Sequence, residues 1–264
     1  MTKDRVLIVI PARMASSRFP GKPLAQICGV SMIERVWRIA RSVKTAHQAV
    51  VATDSRELCE FAQSFGAQVV MTSPSCRTGT DRVAEACAVL GQEFDIVFSL
   101  QGDAVLTPPW VIEDVIRVML AEPEARIATP AVRLAGAELE DFVSAKRAGV
   151  SSGTSVVFDR RGYALYFSKG LVPWPREQQT KSMFVYRHIG LYGYRRDALA
   201  EFAQLGEGEL ERIEKLEQLR ALEHGMALRV VAVDYRGRSH ASVDRVEDVA
   251  LVEEIIKREG ELVL

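Results

Sequence analysis

The chain has 264 residues, of which 48% are hydrophobic and 26% are charged, and its 34 Lys and Arg nearly balance its 35 Asp and Glu. This length fits one large domain or a domain with a lobe, and the charge balance excludes the overall basic field typical of nucleic-acid-binding proteins. No apolar stretch approaches the roughly 20 residues of a membrane span, and the first residues lack a signal-peptide pattern. We therefore expect a cytoplasmic protein whose partners are neither nucleic acid nor membrane.

The four cysteines, Cys28, Cys59, Cys76 and Cys87, are scattered and form no C-x-x-C pair. Their spacing fits neither a zinc site nor a disulfide framework. We expect free thiols in a reducing compartment.

Strand and helix signals alternate along the first 120 residues. The apolar runs predict strands at residues 5–10, 48–53, 67–71 and 95–100. Helical periodicity predicts helices at residues 31–42, 55–65, 79–90 and 109–120, and Asp54 is placed to cap the second of them. This order predicts an α/β fold with a mostly parallel, Rossmann-like sheet and helices on both of its faces.

The second half has a less regular pattern. We predict strands at residues 127–134, 153–158 and 228–233, a β-rich segment at 185–194, and helices at 162–169, 209–223 and 246–258. The leucines of 209–223 recur at three-residue steps, which we interpret as a core face. Residues 1–264 therefore form one predicted domain, with an α+β insertion lobe at about residues 125–205.

The loop after the first strand contains three cations, Arg13, Arg18 and Lys22. Ligands of parallel sheets bind beyond the carboxyl ends of the strands, where backbone N–H groups and cations can hold a phosphate chain. The loop matches neither the P-loop nor the G-x-G-x-x-G pattern. The alternative is a solvated loop whose cations serve solubility.

Two aspartates are candidate metal ligands. Asp103 follows the fourth strand in the sequence QGD, and Asp244 precedes the last helix in ASVDRVED. Carboxylate oxygens suit Mg²⁺, and two carboxylates converging on a phosphate-bound metal would explain both residues. The alternatives are a turn aspartate at position 103 and a helix N-cap at position 244.

The motifs IPARMASSRFPGKPL, VATD, TGTDRVAE, LQGD, GYALYFSKGLVPW, RHIGLYGY, LEQLR and SVDRVED occur in this order. Together, from about residue 5 to residue 258, they resemble the CMP-Kdo synthetases, the 3-deoxy-manno-octulosonate cytidylyltransferases of lipopolysaccharide synthesis. The resemblance implies a nucleotide-diphospho-sugar transferase fold and a homodimer. It also implies that CTP and Kdo, a 2-keto-3-deoxy sugar acid, react with Mg²⁺ present to give CMP-sugar and pyrophosphate.

The resemblance also implies roles for individual residues. The triphosphate loop would contain Arg13, Ser16, Arg18 and Lys22; Arg82 and Gln101 would lie near the nucleotide; Asp103 and Asp244 would hold the metal; and His188, Tyr192, Glu217 and Gln218 would line the sugar-acid pocket. Arg13 and Lys22 would offset the charge of the triphosphate and of the leaving pyrophosphate, and with the two aspartates they form the predicted catalytic set. Without the resemblance, His188 reads as a structural residue and the Glu217–Gln218 pair as a solvated face.

Three positions depart from the family pattern. Ala104 stands where a Glu-Pro pair usually begins, Lys169 stands where Arg usually follows Ser, and Arg212 stands where His is usual. An Arg can grip the sugar carboxylate with two parallel hydrogen bonds and a Lys cannot, so Lys169 is the candidate residue for sugar choice. Three alternatives stay open: an enzyme for 8-amino-Kdo or a capsular sugar acid, a transferase for another nucleotide, and a catalytically weak nucleotide-binding paralogue.

Overall fold

The computed structural model describes residues 4–15, 18–91, 93–175 and 184–263. Ser16, one of the predicted triphosphate-loop residues, lies outside these ranges. The strands are β1 (Val6–Pro11), β2 (Gln26–Ile27), β3 (Val30–Ser31), β4 (Gln48–Thr53), β5 (Val69–Met71), β6 (Ile96–Ser99), β7 (Ile127–Leu134), β8 (Thr154–Phe158), β9 (Ala164–Ser168), β10 (Val185–His188), β11 (Tyr192–Arg195) and β12 (Leu228–Val233). The helices are α1 (Met32–Ser42), α2 (Arg56–Ser64), α3 (Gly79–Leu90), α4 (Pro109–Ala121), α5 (Gly136–Arg147), α6 (Arg196–Gln204), α7 (Glu209–Glu214), α8 (Gln218–Glu223) and α9 (Glu247–Glu259).

A central sheet organises the chain, with the strand order β5-β4-β1-β6-β11-β7-β10-β8-β9 and with β12 paired to β7. Strands β5, β4, β1 and β6 pair in parallel, which confirms the predicted α/β class. Strands β8 to β11 pair with their neighbours in antiparallel fashion, while β12 runs parallel to β7. Four parallel strands thus end at one edge, and their following loops meet there.

Both faces of the sheet are covered, and strand β1 shows why its sequence is a continuous apolar run. Ile8 and Ile10 pack in the apolar cluster that includes α1, α4 and α9, while Leu7 and Val9 pack in the cluster on the opposite face. All four side chains are fully buried. A strand buried on both faces needs apolar residues at every position rather than at every second one.

The predicted helix at residues 162–169 is wrong, because this segment forms strand β9 in a hairpin with β8. Leu165 points to solvent and Phe167 is fully buried, so the side chains alternate with the period of a strand. Gly162 has φ +87° and donates its N–H to the carbonyl of Asp159, which turns the chain into the hairpin.

The single helix predicted for residues 209–223 is also wrong, because α7 and α8 are separated at Lys215, whose φ is +54°. Side chains three residues apart rotate by about 300° around a helix, so a long series of such steps leaves any one face. Accordingly, Ile213 is exposed while Leu216 and Leu219 are buried. The break puts Glu217 and Gln218 at the start of α8.

Two local assignments also differ from expectation. Ser55, rather than Asp54, caps α2, since its hydroxyl accepts a hydrogen bond from the Leu58 N–H at 3.2 Å. Helix α5 was not predicted from the sequence. In the described ranges, no helix combines the length and the apolar character that crossing a membrane requires.

Candidate active site

A cleft lies at the edge where the parallel strands end. It is lined from the loop after β1 by Arg13, Arg18 and Lys22, from the start of α3 by Thr78, Gly79 and Arg82, from the loop after β6 by Gln101, Gly102 and Asp103, and from the segment before α9 by Asp244. Three of these segments follow strands β1, β5 and β6, and parallel pairing brings them together at one edge of the sheet. Arg13 and Arg18 are exposed at the cleft, whereas Arg82 is buried in its wall.

A compact group of charges occupies one side of the cleft. Lys22 Nζ donates to Asp103 Oδ2 at 2.6 Å and lies 3.8 Å from Asp244 Oδ1. Arg18 Nη2 lies 3.2 Å from the same Asp244 oxygen. Only 16% of the Lys22 side chain is exposed, so its ammonium interacts with the carboxylates in partial isolation from water.

The approach of the two loops depends on a glycine. A Cβ atom at Gly102 would lie 3.0 Å from the carbonyl oxygen of Pro11, so a larger residue there would press on the end of β1. The loop after β6 can therefore lie directly against the loop after β1. This close approach brings Asp103 to Lys22.

Arg82 forms the opposite wall of the cleft. Its guanidinium donates to Thr72 Oγ1 at 2.5 Å and to Asp54 Oδ2 at 2.9 Å, and the side chain is 3% exposed. The start of its helix is fixed by a capping box, in which Thr78 and Asp81 exchange side chain-to-backbone hydrogen bonds. Asp54 directly follows strand β4 and lies in the motif VATD, but its sequence context predicted only a helix cap, so the contact with Arg82 was not foreseen.

Cys76 is a second cleft residue that the sequence did not indicate. Its thiol donates to Glu85 Oε2 at 2.9 Å. Burial and the Glu85 carboxylate raise the pKa of the thiol to about 11. Cys76 is therefore a neutral hydrogen-bonding group at neutral pH rather than a nucleophile.

Asp103 and Asp244 have the donor chemistry that Mg²⁺ prefers. Across the described ranges no cluster of three or more His, Cys, Asp or Glu is arranged as a complete metal cage. Mg²⁺ is usually held by one or two carboxylates together with substrate phosphates and water, so a complete protein cage is not required. Both carboxylates lie within 3.8 Å of the Lys22 ammonium, so they are close to each other and fit a site of this kind.

The predicted sugar-acid residues form a second group beside the cleft, and His188 lies at its buried end. His188 Nε2 is 2.8 Å from Thr129 Oγ1, and that hydroxyl donates to the carbonyl of Leu191, also at 2.8 Å. The hydroxyl has one proton, so it accepts from Nε2–H, which leaves Nδ1 of a neutral ring as an acceptor. Burial, followed by the charge of Lys169, lowers the pKa of His188 to about 3.

Tyr192 and Glu217 extend this group toward the cleft. The rings of His188 and Tyr192 lie 5.6 Å apart, and Glu217 Oε2 accepts from Thr80 Oγ1 at 2.7 Å. Burial raises the pKa of the Glu217 carboxyl, against the opposing effects of Thr80 and Arg220. Thr80 directly follows the cleft residues Thr78 and Gly79, so the two groups are contiguous.

Glu217 and Gln218 retain unused hydrogen-bonding capacity. Among the described residues, Glu217 Oε1 and Gln218 Nε2 are buried atoms without a hydrogen-bond partner. Buried polar atoms are rarely left unsatisfied in proteins, and the nearest described cation to Glu217 Oε1 in an ion pair is Arg220 Nη2 at 3.8 Å, so this adjacent acceptor and donor can still bind a polar group or water. Hydroxyl groups of a sugar would satisfy both atoms.

The three departures from the family pattern lie in different environments. Ala104 is buried in the larger apolar cluster, so its methyl group faces the core. Arg212 is exposed on α7. Lys169 is half-buried, its charge lowers the pKa of His188, and no carboxylate in the described ranges forms a salt bridge with it.

Comparisons with known proteins agree with this geometry. Residues 7–228 match the family model described as cytidylyltransferase. The 3-deoxy-manno-octulosonate cytidylyltransferase of Maricaulis maris (strain MCS10) is 51% identical over 98% of this chain and 99% of its own length. The 8-amino-3,8-dideoxy-manno-octulosonate cytidylyltransferase of Shewanella sp. (strain ANA-3) is 42% identical over 94% of this chain and 97% of its own length.

A solved structure of CMP:2-keto-3-deoxy-manno-octonic acid synthetase complexed with CTP has the same architecture. It superposes with a TM-score of 0.86 at 33% identity, covering 97% of this chain and 100% of the other. The agreement therefore extends over nearly the full length of both chains. The chain belongs to the cytidylyltransferase family, and within it to the 3-deoxy-manno-octulosonate cytidylyltransferases.

Proposed function

We propose that this protein transfers CMP from CTP to the anomeric hydroxyl of Kdo, releasing pyrophosphate and supplying an activated sugar for lipopolysaccharide synthesis. The observation that carries the proposal is the cluster of Arg18, Lys22, Asp103 and Asp244 at the carboxyl edge of the parallel strands. This cluster combines cations for a triphosphate with carboxylates for a divalent metal. The relatives' names and the CTP-bound structural neighbour support the choice of nucleotide and sugar.

The reaction forms a bond between the anomeric oxygen and the α-phosphorus, breaks the bond from that phosphorus to the bridging oxygen, and releases the hydroxyl proton. Phosphoryl-type transfer depends on positioning and on stabilising negative charge more than on covalent catalysis. Arg13, Arg18 and Lys22 would contact the phosphates and stabilise the leaving pyrophosphate. Mg²⁺ held by Asp103 and Asp244 would supply charge neutralisation and lower the pKa of the attacking hydroxyl.

The charge cluster also prepares the site for CTP. Lys22 balances the two carboxylates in the protein alone, so the half-buried aspartates need not repel each other. CTP supplies anionic oxygens for the same ammonium and the two exposed arginines. Lys22 is therefore placed to interact with phosphate in the complex without any large movement of the loops.

For the sugar acid, we assign the carboxylate to Lys169 and the hydroxyl groups to His188, Tyr192, Glu217 and Gln218. Lys169 has a half-buried ammonium without a salt bridge to any described carboxylate. Glu217 Oε1 and Gln218 Nε2 are two of the buried atoms in the described ranges that lack a hydrogen-bond partner. An acceptor on Glu217 beside a donor on Gln218 suits a ligand with several hydroxyl groups, since each hydroxyl can both donate and accept.

A pyrophosphate-release assay with CTP, Mg²⁺ and Kdo tests the proposal, and we expect CTP- and Kdo-dependent turnover. Replacing CTP with UTP, ATP or GTP provides the nucleotide control. Absence of turnover with every 3-deoxy-2-ulosonic acid would overturn the proposal. Retained CTP binding without turnover would instead support a nucleotide-binding paralogue, and binding is measured by the rise in melting temperature that a true ligand produces.

The second candidate substrate is the 8-amino analogue of Kdo. It is favoured by the Shewanella relative and by Lys169, which replaces an arginine usual in the family. The kcat/KM values for Kdo and for 8-amino-Kdo, measured side by side, decide between them. We expect Kdo to be preferred, and a higher value for the amino sugar would reverse the assignment.

We further propose a cytoplasmic homodimer that pairs through the lobe at about residues 125–205. Leu165, Trp174 and Phe184 of this lobe are exposed by 65%, 68% and 52%, so they are large apolar side chains that a second copy of the chain could cover. The four cysteines are free, as is typical of a reducing compartment. Light scattering should give twice the chain mass, and Trp174→Glu should shift the protein toward monomer. A monomeric wild-type protein at micromolar concentration would overturn the dimer.

A further inference from the structure

Lys146 is a buried lysine at the end of helix α5, and within the described ranges no carboxylate forms a salt bridge with it. It is 9% exposed, and no salt bridge links it to a described residue. Its ammonium donates instead to the backbone carbonyls of Ser152 at 2.7 Å, Gly153 at 2.7 Å and Lys169 at 2.6 Å, with a longer contact to Val150 at 3.4 Å. Three short hydrogen bonds use all three protons of the ammonium group.

Three of these four contacts are local and one is not. Val150, Ser152 and Gly153 follow α5 directly, and a lysine near the end of a helix commonly hydrogen-bonds such carbonyls. The Lys169 carbonyl lies at the end of β9, in another part of the lobe. This contact ties the helix to the segment that presents the candidate sugar-binding lysine.

The same segment is held from the other side by Glu214 of α7. Glu214 Oε2 accepts from the Lys169 backbone N–H and Oε1 accepts from the Ser168 hydroxyl, both at 2.8 Å. The Ser168 hydroxyl oxygen in turn accepts from the Gly170 N–H at 2.9 Å. The peptide groups on both sides of Lys169 are therefore fixed by two separate elements, while its side chain forms no ion pair with any residue in the described ranges.

An ammonium buried among carbonyls is costly unless every proton is bonded, so this arrangement is demanding to build. Burial, followed by the charge of Lys169, lowers the pKa of Lys146, while the charge of the Glu214 carboxylate acts in the opposite direction. Repulsion between the ammonium groups of Lys146 and Lys169 lowers the stability of the folded state. A neutral side chain could cap α5 without that repulsion, which indicates that the contact to Lys169 serves the site rather than the fold alone.

We propose that Lys146 is a positioning residue that fixes the backbone of Lys169, so that the Lys169 ammonium meets the carboxylate of the sugar acid. The inference rests on the proposed function for its ligand, a 2-keto sugar acid. Lysine lacks the planar fork of arginine and has four flexible methylenes, so a fixed backbone restores part of the precision that the arginine of relatives would provide. Lys146 itself does not contact the substrate.

Kinetics of Lys146→Met provide the first test, since methionine keeps the apolar stem and removes the ammonium. We expect KM for Kdo to rise about tenfold while KM for CTP changes by less than about twofold. Lys257→Met, an exposed lysine change on α9, is the matched control and should leave both constants unchanged. An unchanged KM for Kdo in folded Lys146→Met would overturn the proposal.

A double-mutant cycle with Lys169→Met separates positioning from general destabilisation. If Lys146 acts through Lys169, its effect on KM for Kdo should vanish in the Lys169→Met background. If the free-energy changes calculated from KM for Kdo in the two single variants add in the double variant, the two residues act independently, and the proposal is overturned. Should Lys146→Met fail to fold, Glu214→Gln loosens the other hydrogen bonds to the same segment and enters the same cycle.

Hydrogen exchange measured by mass spectrometry needs no substrate. In Lys146→Met, the amides of Lys169 and Gly170 should exchange about tenfold faster, while the amides of β1 stay unchanged. Unchanged exchange at these two amides would overturn the positioning role. This readout stands even if the wild-type protein turns over no sugar acid, so failure of the proposed function and failure of this inference are distinguished.

Discussion

The Lys22 ammonium lies between two carboxylates from distant parts of the chain, 2.6 Å from Asp103 and 3.8 Å from Asp244. Each residue comes from a different strand-end segment, and Gly102 permits the approach of the first two segments. The cluster is therefore a product of the fold, and it concentrates in one place the charges that nucleotide transfer requires.

Asp103→Asn should reduce turnover by at least about 100-fold, because it removes a metal-binding charge and the close partner of Lys22. We expect the melting temperature to stay within a few degrees, since the side chain is partly exposed and an amide can still accept from Lys22. Asp114→Asn on α4, which breaks a surface pair with Arg117, is the matched control. Full activity of Asp103→Asn would show that the metal assignment is wrong.

Asp54→Asn should weaken CTP binding through Arg82. The substitution removes the charge that faces the buried guanidinium, so Arg82 loses its fixed position in the wall of the cleft. We expect KM for CTP to rise about tenfold and the free energy of unfolding to fall by about 1–3 kcal/mol. Steady-state kinetics at saturating Kdo and urea unfolding measure the two effects, and equal KM values in both proteins would contradict the role given to Arg82.

His188 should make the folded state less stable in acid. Its folded pKa of about 3 lies below the usual 6.5, so the unfolded chain binds more protons between these values. The stability that this neutral histidine contributes is complete above pH 6.5 and is lost as the pH falls toward 3. Its share of the slope approaches about 1.4 kcal/mol per pH unit within that window.

The acid sensitivity due to His188 is tested by comparing the wild type with His188→Gln, a variant that keeps an N–H donor for Thr129. Urea unfolding between pH 6.5 and 5 should show a shallower loss of stability in the variant. His224→Gln, at an exposed position after α8, is the matched control. Identical slopes for wild type and His188→Gln would contradict the neutral, buried state of His188.

Lys169→Arg should lower KM for Kdo, because a guanidinium can form two parallel hydrogen bonds with the sugar carboxylate. Lys169→Met should raise the same constant by at least about tenfold, since it removes the only cation assigned to that carboxylate. KM for CTP serves as the internal control and should not follow either change. If both variants use Kdo as well as the wild type does, the carboxylate binds elsewhere.

The local pattern of the sequence was enough for the parallel half of the fold. A continuous apolar run such as Val6–Pro11 has few alternatives to a strand buried on both faces, and the strand-end rule then predicted that Lys22 and Asp103 lie at one edge of the sheet, where both line the cleft. The family motifs supplied the candidate roles of His188 and Glu217, whereas composition and periodicity alone predict a structural residue for the first and a solvated face for the second.

Only the tertiary structure determined the remaining features, because they depend on contacts between distant segments. The sequence predicts Asp54 as a helix cap, whereas in the structure its carboxylate faces Arg82. Residues 164–168 form a strand because β8 pairs with them. The Lys146 contact to the Lys169 carbonyl joins two elements that no local pattern relates. The sequence by itself determined the parallel strands and predicted candidate residues for nucleotide binding, whereas packing determined which side chains hold those candidates in position.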